Sequence, residues 1–238
     1  MNLNKLYIIA GASSGLGYEY AKNVAKNNKV IGLFYKTRRK KEKNIFFYKI
    51  NLQNTKEVKK FFLNNKKKLS KADKLIFINF ATYKSDRLII DIKERELRKT
   101  FSINLFSNFL FTSNLIKEYI NKEINIIFIS SSLGLRGDAG TALYSSSKAG
   151  LEGLMKSIVI EYSTNFKIRC NTLVLGFFDS PLWQNLTDQK KRNIIKLIPN
   201  NKLGKIEHII NATKFIESNT YINSKSIFLD GGFGNIKI

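Results

Sequence analysis

Leu6-Tyr7-Ile8-Ile9-Ala10-Gly11-Ala12-Ser13-Ser14-Gly15-Leu16-Gly17 decides the architecture of this chain. The run from Leu6 to Ala10 has no polar residue alternating within it, so it reads as a strand buried on both faces. Gly11, Gly15 and Gly17 mark a turn whose backbone needs angles or close approaches that a side chain forbids. Apolar residues at helical spacing follow, over roughly 15–27. A plain tight turn could carry the same glycines. Their place, after a first strand and opening a helix, makes this a dinucleotide turn instead. The backbone N–H groups of Gly11, Ser13, Ser14, Gly15, Leu16 and Gly17, with the helix dipole, then favour a pyrophosphate.

Outward from that stretch, short apolar segments alternate with longer helical patterns. Leu6 to Ala10, Val30 to Phe34, Ile45 to Ile50, Leu75 to Phe80, Ile124 to Ile129, Ile168 to Leu175 and Ser226 to Leu229 read as strands. Helical spacing covers about 54–66, 94–121, 143–164 and 206–217 as well. This alternation predicts an α/β chain, a three-layer Rossmann fold with a doubly wound parallel sheet of about seven strands and helices on both faces. The stretch from Tyr35 to Asn44 is too short for a crossover helix and predicts a loop or a single turn. No repeat, linker or composition break divides the 238 residues, so 1–238 is read as one domain.

Composition narrows the function classes. No apolar run approaches the ~20 residues of a membrane span, and Leu6 to Ala10 leads into a glycine turn rather than a cleavage site. These features predict no membrane partner and no secretion signal. The single cysteine, Cys170, fits a cytoplasmic protein. With 41 Lys and Arg against 18 acidic residues, the net charge of +23 invites a nucleic-acid reading. Abundant Lys, Asn, Ile and Phe with only two Pro is also the usage expected of AT-rich codons. The basic residues are scattered apart from Thr37 to Lys43, Lys66 to Lys74 and Lys190 to Arg192, and no nucleic-acid-binding signature accompanies them. They read as solvated faces, with no specific nucleic-acid partner.

Two further places carry chemistry. The second strand ends in Phe34-Tyr35-Lys36-Thr37-Arg38-Arg39, with no acid before Glu42 to receive the ribose hydroxyls of NAD. Lys36 and Arg38 there suit a 2′-phosphate, so NADP(H) is favoured, with NAD(H) as the alternative. Later, Tyr144 and Lys148 stand one helical turn apart, on one helix face, where an ammonium would favour a phenolate. The spacing recurs at Tyr18/Lys22 and Tyr221/Lys225. Only Tyr144 follows a strand-end serine, Ser131, where an α/β sheet binds its ligands.

Gly11/Gly15/Gly17, Asn104, Ser131 and Tyr144-x-x-x-Lys148 together resemble the short-chain dehydrogenase/reductase family, through to the Asp230-Gly231-Gly232 ending. The resemblance implies that Tyr144 exchanges a proton with the substrate oxygen and that Ser131 orients that oxygen. It implies that Lys148 binds the nicotinamide ribose and lowers the Tyr144 pKa, and that Asn104 holds a water in the proton relay. It adds Tyr35, Asn51, Leu52, Asn79, Ala81, Gly176 and Phe177 as cofactor contacts. Several positions depart from the family's pattern. Ala10 replaces Thr, Asn79-Phe80-Ala81-Thr82 replaces Asn-Asn-Ala-Gly, Asn51-Leu52 replaces Asp-Val, and Leu175-Gly176 replaces Pro-Gly. These touch cofactor seating rather than reaction type.

Within the family the chain looks most like 3-oxoacyl-carrier-protein reductases, through Leu133-Gly134-Leu135-Arg136-Gly137 and the Gly-Gly-Phe ending. The expected activity interconverts a ketone and a secondary alcohol by hydride transfer, on a small or carrier-bound substrate. A basic surface suits an acidic carrier. Reduction of a sugar or another small ketone is the alternative, and a non-catalytic dinucleotide sensor is the competing class. Residues 177–202 resemble a substrate lid, in which Phe177, Phe178, Leu182 and Trp183 either line a pocket or simply pack. The resemblance further implies a homodimer or homotetramer built on the helices near 94–121 and 143–164. There Leu151, Leu154, Met155, Ile158 and Val159 serve either an interface or the core. His208 reads as a surface or cap residue, and no metal site is expected.

Overall fold

The computed structural model describes residues 4–37, 40–164, 166–184 and 186–235. In chain order it runs β1 (Lys5–Ala10), α1 (Gly15–Val24), β2 (Lys29–Phe34), β3 (Ile45–Lys49), α2 (Thr55–Ser70) and β4 (Lys74–Asn79). There follow α3 (Glu94–Phe101), a π-turn (Ser102–Phe106), α4 (Ser107–Tyr119), β5 (Glu123–Ser131), α5 (Leu133–Arg136) and α6 (Ala142–Tyr162). The chain continues through β6 (Ile168–Leu175), α7 (Pro181–Gln184), α8 (Asp188–Lys196), α9 (Ile206–Ser218) and β7 (Ser226–Leu229).

The seven strands form one parallel sheet in the order β3-β2-β1-β4-β5-β6-β7. Alternate side chains of each strand supply opposite cores. Leu6, Ile8 and Ala10 of β1 pack with Val58, Phe61 and Phe62 of α2, Phe111 of α4 and Leu151 of α6. Tyr7 and Ile9 pack the other way, with Tyr20 of α1 and Ile209 of α9. Phenylalanine does much of the filling: Phe77 of β4 stacks on Phe111 at 4.5 Å, and Phe61 and Phe62 close around it. The order reverses between β1 and β4. Both strands end there side by side, Ala10 opposite Asn79, and open a crevice beyond their carboxyl ends.

As the sequence predicts, among the described residues no helix joins β2 to β3. Glu42 and Asn44 pin the connecting loop instead: Tyr18 of α1 donates to Glu42 at 2.6 Å, and the Asn44 amide donates to the Ala25 carbonyl at 2.9 Å. The Phe47 ring lies across Gly32, covering sheet surface that a crossover helix would otherwise shield.

The long helix expected over 94–121 is interrupted by the π-turn at Ser102–Phe106. No glycine or proline marks it in the sequence. The side-chain candidates on α6 resolve as core: Leu151, Leu154, Met155 and Ile158 are buried and Val159 packs against them. The segment 177–202, expected as a lid, holds α7 and α8 and is anchored where Phe178 bridges to Gly204. Phe178 is buried in the core on the α1/α9 side and Phe177 packs edge-on to Phe233 at 4.9 Å, and both also border a pocket with Leu203, Gly204 and Phe228. His208 caps α9, its Nδ1 accepting from the Lys205 N–H at 2.9 Å, and Cys170 is a buried free thiol. Among the described residues no cluster of possible metal ligands occurs, and no helix is long and apolar enough to cross a membrane.

Candidate active site

The glycine turn ends β1 at the crevice. Gly11 has φ +72, and a Cβ there would lie 2.8 Å from the Ala81 nitrogen, so the turns after β1 and β4 meet backbone to backbone. The start of α1 contrasts with those of α2 and α8. Asn54 and Thr187 cap α2 and α8 by accepting backbone N–H groups, and each has an acid in its first turn. Ser14 makes no side-chain cap to α1, whose first turn holds no acid. Donors at a helix start with neither cap nor countercharge fit a phosphate group. A dinucleotide pyrophosphate would fit this turn.

The adenosine end is open. Tyr35 and Lys36 are exposed at the end of β2, while Arg38 lies outside the described residues. Leu52 is buried, and Asn51 spends its side-chain oxygen on Gln53. Past β4, the Asn79 amide donates to Asn108 at 2.9 Å, and its oxygen accepts the Ala81 N–H at 2.8 Å, which shapes the loop floor. Gly176 follows β6 directly, its N–H donating to Leu229 on β7, and Phe177 extends from it.

The end of β5 carries the chemistry. Ser130 donates to the Lys148 carbonyl at 3.2 Å, and the Ser131 hydroxyl accepts the Leu133 N–H at 3.3 Å. A Cβ on Gly134 would lie 3.0 Å from that of Lys148, so only glycine lets α5 lie this close to α6. These contacts stitch β5 to the first turns of α6 and bring Ser131 to the Tyr144 phenol. Burial pushes that phenol above its ordinary range, and hydrogen bonding to the Ser131 and Thr82 hydroxyls pulls it back. Lys148 is buried, donates to the Ile129 carbonyl at 2.8 Å, and sits 5.7 Å from the Tyr144 ring centroid. Burial draws its pKa down to about 8, which leaves it mostly protonated at neutral pH.

Asn104 stands in the π-turn, and every hydrogen-bonding site of its side chain is used. Its amide donates to the Tyr83 carbonyl at 2.8 Å and to Ser147 at 2.9 Å. Its oxygen accepts from the Tyr83 N–H at 2.7 Å and from Thr82 at 3.3 Å. The side chain therefore ties the loop after β4 to α6, and a water held at this residue would have to use the main-chain carbonyl. Neither Thr82 nor Ser147 belongs to a motif that marks it as a site residue in the sequence. The four-residue departure at 79–82 was the signal available for the first.

The two competing Tyr–Lys pairs fall elsewhere. Tyr18 is engaged with Glu42, and Tyr221 is 98% exposed beyond α9.

Residues 5–191 match the family model described as short chain dehydrogenase. This chain belongs to that family. It is 37% identical over 168 residues, 69% of each chain, to a 3-oxoacyl-(acyl-carrier-protein) reductase FabG of Rickettsia conorii. The FabG of Rickettsia felis is 33% identical over 239 residues, 96% of each chain. A solved structure of a 4-hydroxyisoleucine dehydrogenase complexed with NADH superposes with a TM-score of 0.86 at 23% identity, over 98% of this chain and 100% of that one. Membership makes the chain a nicotinamide-dinucleotide-dependent oxidoreductase of the ketone–alcohol class.

Proposed function

We propose that this chain reduces a 3-oxoacyl thioester presented by an acyl carrier, with NADP(H) favoured over NAD(H). The constellation at the end of β5 carries the reading: Tyr144 beside Ser131, with protonated Lys148 one turn along α6, across the crevice from an uncapped phosphate turn. When bound, the dinucleotide supplies hydride to the carbonyl carbon. Tyr144 gives its proton to the carbonyl oxygen, and Ser131 holds that oxygen in line. Lys148 keeps positive charge near the phenolate left behind and offers its remaining N–H groups to the ribose. A positioned acid of this kind contributes typically about 10²–10⁴-fold to rate.

The NADP(H) preference rests on exposed Lys36 at the end of β2 and on Glu42. Glu42 is the first acid after β2, and it is held by Tyr18 rather than turned to a ribose. The curated relatives named above are carrier-protein reductases, and a net charge of +23 suits an acidic carrier in the cytoplasm. A homodimer or homotetramer would form on the outer faces of α4 and α6.

The test is oxidation of NADPH and NADH with acetoacetyl-CoA and a broad panel of ketones. The expected result is turnover with the thioester, faster with NADPH, and abolished by Tyr144→Phe. Turnover retained by Tyr144→Phe refutes the acid–base assignment. Dinucleotide binding without turnover of any carbonyl favours a sensor instead.

A further inference from the structure

β7 closes one edge of the sheet, three strands away from β4 and the crevice. Between β7, α9 and the loop at 200–204 lies a cavity of about 550 Å³. Sites for small organic ligands run from about 300 to 1,000 Å³, so the space suits one. None of Asn104, Ser131, Tyr144 and Lys148 lines it.

Main-chain bonds hold the cavity in shape. The Gly204 N–H donates to the Phe177 carbonyl at 2.9 Å, and the Asp179 N–H donates to the Gly204 carbonyl at 2.9 Å. A Cβ on Gly204 would lie 2.6 Å from the Phe178 ring, so only glycine lets the floor close there. The Asn200 N–H donates to the Gly231 carbonyl at 3.1 Å, which ties the loop to the turn after β7. Ile209 and Ile210 fix α9 to the core.

The lining has two halves. Phe177, Phe215 and Phe228 supply an aromatic wall, of which Phe215 and Phe228 are 53% and 48% exposed. A hydrocarbon laid on such rings removes apolar surface from water. The other half is a rim of donors. His208 accepts the Lys205 N–H on Nδ1 at 2.9 Å, so its neutral ring carries the proton on Nε2. Lys202 makes no ion pair among the described residues. The only acid of the described lining, Asp230, is already engaged. It accepts from Ser132 at 3.0 Å and from the Gly232 and Gly234 N–H groups at 3.0 and 2.8 Å. Donors over an aromatic wall, with no open carboxylate, select an anion that carries an apolar tail.

We propose that this cavity is a second ligand site, which binds a medium-chain aliphatic monocarboxylate. The tail lies on Phe215 and Phe228, and the carboxylate accepts from Lys202 and from Nε2–H of His208. The proposal is independent of which carbonyl the crevice reduces.

The test is calorimetric titration of the full chain, with NADP present, by hexanoate, octanoate and decanoate, with decanol and decylamine as controls. Decanoate binds saturably, and each added methylene tightens binding about fourfold. Decanol binds about tenfold more weakly, as does decanoate to Lys202→Ala, and decylamine does not bind. Phe228→Ser flattens the dependence on chain length. Should that variant fold poorly, Phe215→Ser carries the same expectation. A diazirine-bearing decanoate, irradiated and digested, labels peptides that contain Phe215 or Phe228. No saturable binding overturns the proposal, and so does unchanged affinity in both the Lys202 and the Phe228 variants. Label confined to the lid or to α6 also overturns it, because the acid then sits in the crevice. A Phe228→Ser chain that sediments as a smaller species, with no acid bound by the wild type, makes this face a contact between copies instead.

Discussion

A lysine buried without a carboxylate is a liability that only function explains. Lys148 is 3% exposed, and its pKa near 8 lies below the 10.5 of a free side chain. The unfolded chain therefore holds more protons than the folded one between about pH 8 and 10.5, and stability from this group rises with pH across that window. Tyr7, Tyr20 and Tyr144 act oppositely. Burial raises them, so the unfolded chain loses protons first and stability falls above about pH 10. Lys148→Met should abolish turnover yet stabilise the cofactor-free protein at pH 7 by roughly 1–2 kcal/mol, or several degrees in Tm for a chain of this size. Thermal melts from pH 7 to 11 check this: the wild type gains stability up to about pH 10, and the variant does not. Equal melting profiles would place Lys148 in a wetter setting than the structure gives it.

Among the elements, the glycine turn was legible because it depends on chain order and backbone sterics alone. Gly11→Ala would drive a Cβ against the Ala81 nitrogen at a φ of +72, separating the turns after β1 and β4. The expected result is at least a tenfold loss of NADPH affinity in fluorescence titration, with roughly 1–3 kcal/mol lost from stability. Unchanged affinity would show that the dinucleotide seats elsewhere. The helixless β2–β3 connection was also legible, from its length. What closes it was not: Tyr18–Glu42, Asn44–Ala25 and Phe47 over Gly32 are contacts between residues that no spacing rule pairs. The π-turn escaped for a related reason. Its defining residue, Asn104, is held by partners 21 and 43 positions away.

At the scale of the whole molecule, the outer surfaces of α4 and α6 bear on assembly. Phe106 and Phe109 at the start of α4 and Ile160 on α6 are exposed, Ile160 by 79%, on helices whose inner faces are fully used by the core. Sedimentation of the wild type should give a dimer or tetramer, and Ile160→Glu with Phe109→Glu should give a folded monomer. A monomeric wild type would leave these side chains as solvent-facing residues of the single chain. Like-sign repulsion from the net charge of +23 should make any assembly tighter at higher salt.

The sequence by itself determined the sheet, the strand–helix order, the glycine turn and the positions of Ser131, Tyr144 and Lys148 along it. Each of these is written in periodicity, in glycines or in short-range spacing, which the chain carries locally. The tertiary structure alone decided how far Tyr144 and Lys148 are desolvated. It also decided that the Asn104 side chain is spent on the loop after β4. These depend on what strands and loops far apart in sequence bring into contact, and burial and hydrogen bonding are set by that contact rather than by residue type.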